Sequence, residues 1–290
     1  IIISTVLKKD SEYKKFIINI YKLKLILYII NYNKVIRWFY MLTEQVDAIN
    51  YFDGNVKEVE ETIVQDETIT ITINGTINRS LSGLNDSLTE FAVGYLFNEN
   101  LVESINDIKK VEIEDTKINI EIDDRLLKNN ETVLCSDSAG GWRSKIKNVK
   151  KVESDLQVTS GELLARIEEL KNNAEIWQAT GGTHVAGISD GKEFVVKEDV
   201  SRHVAVDKVI GYGILNGFDL SNSYVIYSGR MPADMVIKIT RVGIPILVSN
   251  AAPAYSGYKI AEKGNVTLVG FVRGQRFNVY NNLGRVIFDK

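Results

Sequence analysis

The only cysteine of the chain, Cys135, lies in a run of small and polar residues. Ser136, Asp137 and Ser138 follow it, and two glycines precede Trp142. A free cysteine is most often a small buried hydrophobe, but these neighbours disfavour burial and indicate a loop. An exposed thiol can accept and donate sulfur when nearby cations favour its thiolate. We therefore predict that Cys135 is a reactive nucleophile.

Three apolar segments in the C-terminal half are each followed by a run of small residues with polar or basic side chains. The runs are SGR at 228–230, SNAAP at 249–253 and GFVRGQR at 270–276. In open α/β sheets, ligands bind beyond the carboxyl ends of the strands. Small residues let backbone N–H groups approach a ligand, helix N-termini favour anions, and arginine binds phosphate through two hydrogen bonds. One such loop is as readily an ordinary connection, but three together predict a phosphate or pyrophosphate site.

A fourth polar run, Glu198 to His203, joins a predicted strand to a predicted helix. Helix capping combined with a solvated charge cluster is the more common origin of such a run. However, His184 and His203 are the only two histidines, and both lie at element boundaries, where functional groups are often found. Each alone is more often structural, and their separation resembles no paired zinc motif. We therefore predict no bound zinc.

The composition is that of an ordinary globular protein, with 44% hydrophobic and 25% charged residues among 290. The formal net charge of -3 gives no general attraction to nucleic acid or to an anionic membrane. We predict neither as a partner. A single cysteine excludes an intrachain disulfide and a zinc site built from several thiolates. It also favours a reducing compartment, and we predict the cytoplasm.

Residues 1–40 differ from the remainder in charge, with eight Lys and Arg against two Asp and Glu. This segment carries +6, which leaves -9 for the remainder. Its longest uncharged run, 25–33, is too short to span a bilayer or to form a signal-peptide core. One interpretation is a basic amphipathic segment at a membrane surface. The other, which we favour, is an extraneous or disordered segment in front of a true start at Met41.

The first predicted domain is a small α+β unit over residues 41–130. Apolar residues alternate on both sides of an Asn-Gly pair at 74–75, which predicts a β-hairpin. Ser87 and Glu90 have capping-box spacing in front of an amphipathic helix. Two further alternating runs complete a strand-rich sheet that this helix covers.

A predicted linker that carries the cysteine spans residues 131–150, and a larger domain follows over residues 151–290. Thr159 and Glu162 have the spacing of a second capping box. Strands and helices then alternate, which predicts a layered α/β domain. The predicted elements are strands at 194–196, 224–227, 246–248 and 266–269, and helices at 204–215, 231–242 and 254–263.

Five motifs follow one another in the order GGTH, EDVSRHVAVDKVIG, SGRMPADMVIK, GIPILVSNAAPA and TLVGFVRGQRFNVY. Together they resemble the successive signatures of the FdhD family of formate dehydrogenase accessory proteins, and the resemblance covers residues 56–280. It implies a cytidine-deaminase-like three-layer α/β core without zinc and a smaller, ubiquitin-like or α+β N-terminal domain. It also implies a homodimer.

The resemblance further implies a sulfurtransferase activity. Such proteins take persulfide sulfur from a cysteine desulfurase and pass it to the Mo-bis(molybdopterin guanine dinucleotide) cofactor, or its tungsten equivalent, of the formate dehydrogenase catalytic subunit. Carried onto this chain, the persulfide carrier is Cys135. The implied cofactor-binding residues are Phe271, Val272, Arg273, Gly274, Gln275 and Arg276, with Arg202, His203 and Arg230 lining the same pocket.

One departure from the family concerns the loop, which usually contains C-x-x-C but has Ser138 at the second position here. A persulfide needs only one thiolate, whereas a step that uses a second thiol lacks its residue. The alternative hypothesis is therefore a cofactor-binding chaperone without sulfur transfer. A third hypothesis, a zinc nucleobase deaminase, follows from the implied fold alone and has too few evident ligands.

Overall fold

The computed structural model describes residues 38–129, 132–134, 142–144, 148–281 and 284–289. These residues form a mixed α/β fold whose main sheets have six and four strands. The predicted α/β class is confirmed. No helix in the described part of the chain is long and apolar enough to cross a bilayer.

The elements follow in chain order. The N-terminal half contains β1 (Thr43–Phe52), β2 (Asn55–Val64), β3 (Glu67–Ile73), β4 (Ile77–Gly83), α1 (Leu88–Asn98), β5 (Ile108–Glu114) and β6 (Lys117–Ile122). Two short strands come next, β7 (Thr132–Leu134) and β8 (Trp142–Ser144). The C-terminal half contains β9 (Val158–Thr159), α2 (Ser160–Asn172), α3 (Glu175–Thr180), β10 (His184–Ser189), β11 (Phe194–Asp199), α4 (Arg202–Leu215), β12 (Tyr224–Tyr227), α5 (Ala233–Arg241), β13 (Ile246–Ser249), α6 (Tyr255–Gly264), β14 (Thr267–Arg273), β15 (Arg276–Tyr280) and β16 (Val286–Ile287).

The four-stranded sheet has the order β4-β3-β6-β5, and α1 covers one of its faces. The predicted hairpin joins β3 to β4 through Asn74 and Gly75, which both have positive φ, at 48° and 65°. Ile73 is paired with Ile77, so the loop has three residues, and the Thr76 N–H donates to the Ile73 carbonyl oxygen at 3.1 Å. Positive φ at both central residues of this turn is the type I′ geometry that hairpins favour. The Asn74 side chain also exchanges two hydrogen bonds with the backbone of Ile122, which fastens the turn to β6.

The six-stranded sheet has the order β11-β10-β12-β13-β14-β15 and lies between two helical layers. Neighbouring residues of a strand point to opposite faces. Val225 therefore packs with α4 and α5 on one face, whereas Ile226 packs with α2 on the other. The three central strands, β12 to β14, run parallel and are buried on both sides. This three-layer arrangement brings the carboxyl ends of the central strands to one edge.

The two halves meet where α1 crosses α4 with almost no space between the backbones. A Cβ atom on Gly94 would lie 1.8 Å from the Asp207 carbonyl oxygen, and one on Gly211 would lie 1.8 Å from the Glu90 carbonyl oxygen. Only glycine fits at both positions, because real Cβ atoms do not approach so closely. The smaller half therefore packs directly against α4, through the contact of this helix with α1.

The two predicted capping boxes have different outcomes. Ser87 makes no side-chain cap, because its φ is 51° and its hydroxyl accepts a hydrogen bond from Lys197 at 2.7 Å instead. That part of the prediction is wrong, although the helix itself is present. Thr159 does cap α2 by accepting from the Glu162 N–H at 3.1 Å. The Glu162 carboxylate accepts from the Tyr224 hydroxyl at 2.7 Å rather than closing the box.

Candidate functional site

The three small-residue loops predicted from the sequence lie together at one edge of the six-stranded sheet. The Ser249 hydroxyl donates to the Gly229 carbonyl oxygen at 2.6 Å, which joins the loop after β13 to the loop after β12. The Phe271 N–H donates to the Ala251 carbonyl oxygen at 3.1 Å, which joins β14 to the same loop. The three loops therefore form one continuous surface beyond the carboxyl ends of the parallel strands, where ligands bind in such sheets.

The third of these runs, 270–276, is a β-hairpin in the structure rather than a simple loop. β14 continues to Arg273, and a turn at Gly274, with φ of 57°, leads into β15. The pairing with β15 is irregular between Gly270 and Arg273. Within this bulge Phe271 has φ of 57°, which is costly for a residue with a bulky side chain. The edge of the site therefore contains a strained bulge, a feature that is common next to functional sites.

The side chains of this run point in different directions. Val272 is 1% exposed and packs in the core between the sheet and α2, so only its backbone could touch a ligand. All other side chains of the run are exposed, including Phe271, Arg273 and Arg276. The Arg273 guanidinium reaches the neighbouring loop, where Nε donates to the Asn250 carbonyl oxygen at 3.4 Å. The predicted run thus supplies two exposed cations and one exposed aromatic ring.

Three helices begin at the same edge, and none of them has a side-chain cap. The N-cap residues of α4, α5 and α6 are Ser201, Pro232 and Ala254, and none of them makes a side-chain cap. In the first turn of α5, the Asp234 carboxylate accepts from the Met235 N–H at 3.1 Å. Uncapped N–H groups and the positive ends of helix dipoles favour anions. The N-termini of α4 and α6 therefore favour an anion at this edge, whereas Asp234 places a carboxylate at the N-terminus of α5.

Two polar atoms at this edge are buried and have no hydrogen-bond partner among the described residues. They are Arg202 Nε, at the start of α4, and Asn250 Oδ1, in the loop after β13. Arg202 lies against the loop after β12, because a Cβ on Gly229 would be 3.0 Å from its Cδ. Arg230 of that loop is exposed. Buried polar groups are nearly always paired in proteins, so an unpaired donor and acceptor here indicate where a ligand would bind.

His203 is present at this edge but is completely buried. Its exposure is 0%, and its Nε2 lies 3.3 Å from the Asp234 carboxylate on α5. His203 therefore links the N-termini of α4 and α5, and its side chain lies in the protein interior rather than on the exposed surface of the site. Within the part of the chain that the structure describes, no three His, Cys, Asp or Glu side chains are grouped to hold a metal ion.

The second histidine, His184, also lies at this edge, although the sequence did not assign it to the pocket. It begins β10, which runs antiparallel to β12, so it lies beside Ser228 at the end of β12. Its Nδ1 is 3.0 Å from the Ser228 hydroxyl oxygen. Burial lowers the pKa of His184, the electrostatic interactions with Arg202 and with His203 lower it further, and the interaction with Asp199 raises it. The imidazole is therefore neutral near pH 7.

This lowered pKa predicts how stability depends on pH. The folded pKa of His184 is below the usual 6.5, so the folded state binds fewer protons than the unfolded state. The free energy of unfolding should decrease as the pH falls through 6.5, and His184→Gln should reduce this slope. Urea unfolding of both proteins between pH 7.5 and 5.5 tests the prediction. Parallel pH dependences would contradict it.

The two acidic residues of the polar run hold backbone segments rather than facing solvent. Glu198 accepts hydrogen bonds from the N–H groups of Ile176 and Trp177 and from the Thr183 hydroxyl, at 2.7–2.9 Å. Burial, as the largest cause, raises the pKa of Glu198 even though these donors lower it. Because Thr183 directly precedes His184, Glu198 fixes the segment that leads into the pocket.

Asp199 fastens the start of α4 to the smaller half. One carboxylate oxygen accepts from the Ser201 N–H at 2.9 Å, and the other accepts from the Leu84 N–H at 3.0 Å. The same oxygen lies 2.8 Å from Lys208 Nζ, and both charged side chains are 0% exposed. The predicted capping role of this run is not present, because the N-cap Ser201 of α4 makes no side-chain cap, and the carboxylates of the run are buried rather than solvated.

Cys135, the predicted nucleophile, lies outside the described residues, as does Ser138. The nearest described segments are β7, which ends at Leu134, and β8, which begins at Trp142. These two strands pair antiparallel, with Leu134 opposite Trp142. The role of Cys135 therefore stays a prediction.

Comparisons of the sequence with known proteins agree on one family. A model of the FdhD/NarQ family matches residues 64–287. A sulfur carrier protein FdhD from Methanothermobacter thermautotrophicus is 46% identical over 247 residues, which are 85% of this chain and 99% of that protein. A protein FdhD from Methanocaldococcus jannaschii is 36% identical over 237 residues, which are 81% of this chain and 95% of that protein.

A comparison of structures gives the same result. The fold matches the crystal structure of a candidate formate dehydrogenase accessory protein from Desulfotalea psychrophila with a TM-score of 0.70 and 25% sequence identity. The match covers 85% of this chain and all of that one. The family model covers more than half of the chain, including both sheets and the whole loop edge. The chain therefore belongs to the FdhD/NarQ family.

Proposed function

We propose that this chain is a sulfur carrier for formate dehydrogenase. Cys135 accepts a sulfur atom as a persulfide and transfers it to the Mo-bis(molybdopterin guanine dinucleotide) cofactor, or its tungsten equivalent, held at the loop edge. The names of the relatives support the first part, because the Methanothermobacter and Bacillus subtilis proteins are both sulfur carrier proteins FdhD. The Desulfotalea neighbour supports the link to formate dehydrogenase.

The observation that carries the cofactor-binding part is the unpaired, buried Nε of Arg202 among three uncapped helix N-termini. A guanine dinucleotide contains a pyrophosphate, which needs several N–H donors and positive charge. Arg202, Arg230, Arg273 and Arg276 supply the charge, and the loops supply the backbone donors. The residues present therefore fit this substrate, and the exposed Phe271 ring adds a surface on which a nucleobase could stack.

The proposed chemistry at Cys135 is thiol exchange. Its thiolate attacks the outer sulfur of a persulfide on a cysteine desulfurase, and the cysteine thiolate of the donor leaves. In the second transfer the S–S bond of the Cys135 persulfide breaks, Cys135 leaves as a thiolate, and the outer sulfur passes to the substrate cofactor before insertion into the formate dehydrogenase catalytic subunit. The two electrons that reduce this sulfur to the sulfide level would come from the reduced metal of the cofactor or from an external thiol. The proposal includes a homodimer in the cytoplasm, a larger half with a cytidine-deaminase-like core and a smaller ubiquitin-like half.

Complementation in cells tests this proposal. A bacterium that lacks its own protein of this family but produces formate dehydrogenase should regain formate-dependent dye reduction when it expresses this chain. Immunoblotting for both proteins provides the control for expression. Absence of activity in spite of soluble expression, repeated with a formate dehydrogenase from the same organism as this chain, would overturn the proposal.

The cofactor-binding part predicts a large effect at Arg202. Arg202→Met should lower the affinity for GDP, a probe with a guanine base and a pyrophosphate, by about 10- to 100-fold, because a hydrogen bond to a charged group contributes about 1.5–3 kcal/mol. Isothermal titration calorimetry measures the affinity. Arg166→Met is the matched control, because Arg166 lies on α2, across the sheet, and pairs with Glu169 at 2.6 Å. Equal losses for both variants would contradict the assignment of Arg202.

The alternative function, a cofactor-binding chaperone without sulfur transfer, is favoured by a single observation. Ser138 stands where the family usually has its second cysteine. Both functions predict GDP binding, but only the sulfur carrier needs Cys135. Full activation of formate dehydrogenase by a Cys135→Ala protein would therefore select the chaperone.

A further inference from the structure

The contact between His184 and Ser228 belongs to a clamp that joins two strands at the edge of the pocket. The Ser228 N–H donates to the Val185 carbonyl oxygen at 2.9 Å, and the Val185 N–H donates to the Ser228 hydroxyl oxygen at 3.0 Å. These two bonds fix both the backbone and the hydroxyl of Ser228. The His184 ring, 3.0 Å from the same oxygen, is thus held in one orientation.

The hydrogen-bond pattern determines which nitrogen of His184 carries the proton. The Ser228 hydroxyl has one proton, and its oxygen already accepts from Val185. If His184 Nδ1 were protonated, the Ser228 proton would have no acceptor among the described residues. If Nδ1 is unprotonated, it accepts the Ser228 proton, and both the Ser228 hydroxyl and Nδ1 then have partners. The ring is neutral, so its own proton is then on Nε2.

The Nε2 atom is on the side of the ring away from Ser228. Among the described residues it has no hydrogen-bond partner, and it is not enclosed by protein atoms. Arg202, whose Nε is also unpaired, is close enough to lower the pKa of His184. Two unpaired N–H donors from different elements, β10 and α4, therefore lie at the same edge of the sheet.

We propose that His184 binds the anionic ligand of this pocket through Nε2–H as a neutral imidazole, and that Ser228 positions this tautomer. The inference rests on the proposed function, because the ligand is the pyrophosphate part of the guanine dinucleotide. A neutral donor adds direction without adding charge. Arg202 supplies the charge, and His184 defines where one phosphate oxygen must lie. His184 is thus a binding residue, and Ser228 is a positioning residue.

Nuclear magnetic resonance of the full-length protein tests the tautomer directly. The chain has only two histidines, so a long-range proton–nitrogen spectrum of protein labelled with ¹⁵N-histidine contains only two imidazoles. His184→Gln assigns them. At pH 7 we expect Nδ1 of His184 to be unprotonated and Nε2 to be protonated, and we expect Ser228→Ala to give a mixture of both tautomers. A protonated Nδ1 in the wild type would overturn the inference.

Titration with GDP tests the ligand contact on the same samples. GDP should shift the Nε2 resonance of His184, and His184→Asn should bind GDP about fivefold more weakly, because one neutral hydrogen bond is lost. Asparagine can still accept from Ser228 but is too short to reach the ligand. His184→Gln, which places an amide N–H near the Nε2 position, should retain most of the affinity.

The outcomes separate this inference from the proposed function. If the wild-type protein bound no GDP, the cofactor-binding function and the His184 contact would both be overturned. If the wild type bound GDP while the His184 resonances and the His184→Asn affinity stayed unchanged, only the inference about His184 would be overturned. A shift at Nε2 together with weaker binding by His184→Asn, but not by His184→Gln, supports it.

Discussion

Replacing Cys135 with alanine should abolish the activation of formate dehydrogenase. The chain contains no other cysteine, so no second thiol can form the persulfide in its place. Cys135→Ser should be equally inactive, because serine has almost the same size as cysteine but has no sulfur atom with which to form a persulfide. The measurement is formate-dependent dye reduction in cells that lack their own protein of this family.

Ser138→Ala provides the matched control for this loop. It lies three residues from Cys135 and removes a hydroxyl that the proposed transfer does not use, so activity should be retained. If Cys135→Ala remained active, the hypothesis that this chain transfers sulfur through Cys135 would be wrong. Activity lost equally in Cys135→Ala and Ser138→Ala would instead assign the effect to the shape of the loop.

Replacing the buried Lys238 with methionine should lower the free energy of unfolding by about 3–5 kcal/mol, because it removes one partner of a buried ion pair. Lys238 Nζ lies 2.5 and 2.8 Å from the two carboxylate oxygens of Asp207, and both side chains are 1% exposed. Asn98 donates to the same carboxylate at 2.5 Å, and Glu99 lies 4.0 Å from the lysine. Methionine preserves the volume but leaves a buried carboxylate without its cation.

Lys259→Met is the control for this change, because Lys259 pairs with Glu262 on the exposed side of α6. Exposed pairs contribute little, so this variant should unfold at the same urea concentration as the wild type. Urea unfolding followed by circular dichroism gives the free energies. A loss below about 1 kcal/mol for Lys238→Met would show that the buried charges are compensated in another way.

The stability effect has a structural consequence, because Asp207 and Lys238 join the smaller half to the larger one. Asn98 and Glu99 end α1, Asp207 lies on α4, and Lys238 lies on α5. These helices α4 and α5 also begin at the candidate site. Disruption of the buried charges should therefore weaken GDP binding as well, through the positions of the two helix N-termini.

Much of the larger sheet could be predicted from the sequence, because its central strands are short, apolar and followed by small residues. The predicted strand at 224–227 matches β12, and the predicted helix at 254–263 differs from α6 by one residue at each end. Local chemistry determines these elements. By contrast, β10 was not predicted, because its sequence contains Gly187 and a serine within a short apolar run. The long hairpin of β1 and β2 was also missed, since its strands are rich in acidic residues.

The site shows the same division between local and long-range determinants. The loop positions and Arg202 were predictable, since strand ends and arginines are visible in the sequence. The roles of Glu198 and Asp199 were not, because Glu198 binds residues 15–22 positions away and Asp199 binds Leu84, 115 positions away. Ser228 and His184 are 44 positions apart. Only the paired sheet brings such residues together.

Intact-protein mass spectrometry tests whether Cys135 carries sulfur. The wild-type protein and Cys135→Ala are incubated with a cysteine desulfurase and L-cysteine under the same conditions. We expect a gain of one sulfur atom, about 32 Da, on the wild type alone, which a reductant removes. No gain on the wild type with an active desulfurase from the same organism, or an equal gain on Cys135→Ala, would contradict this role of Cys135.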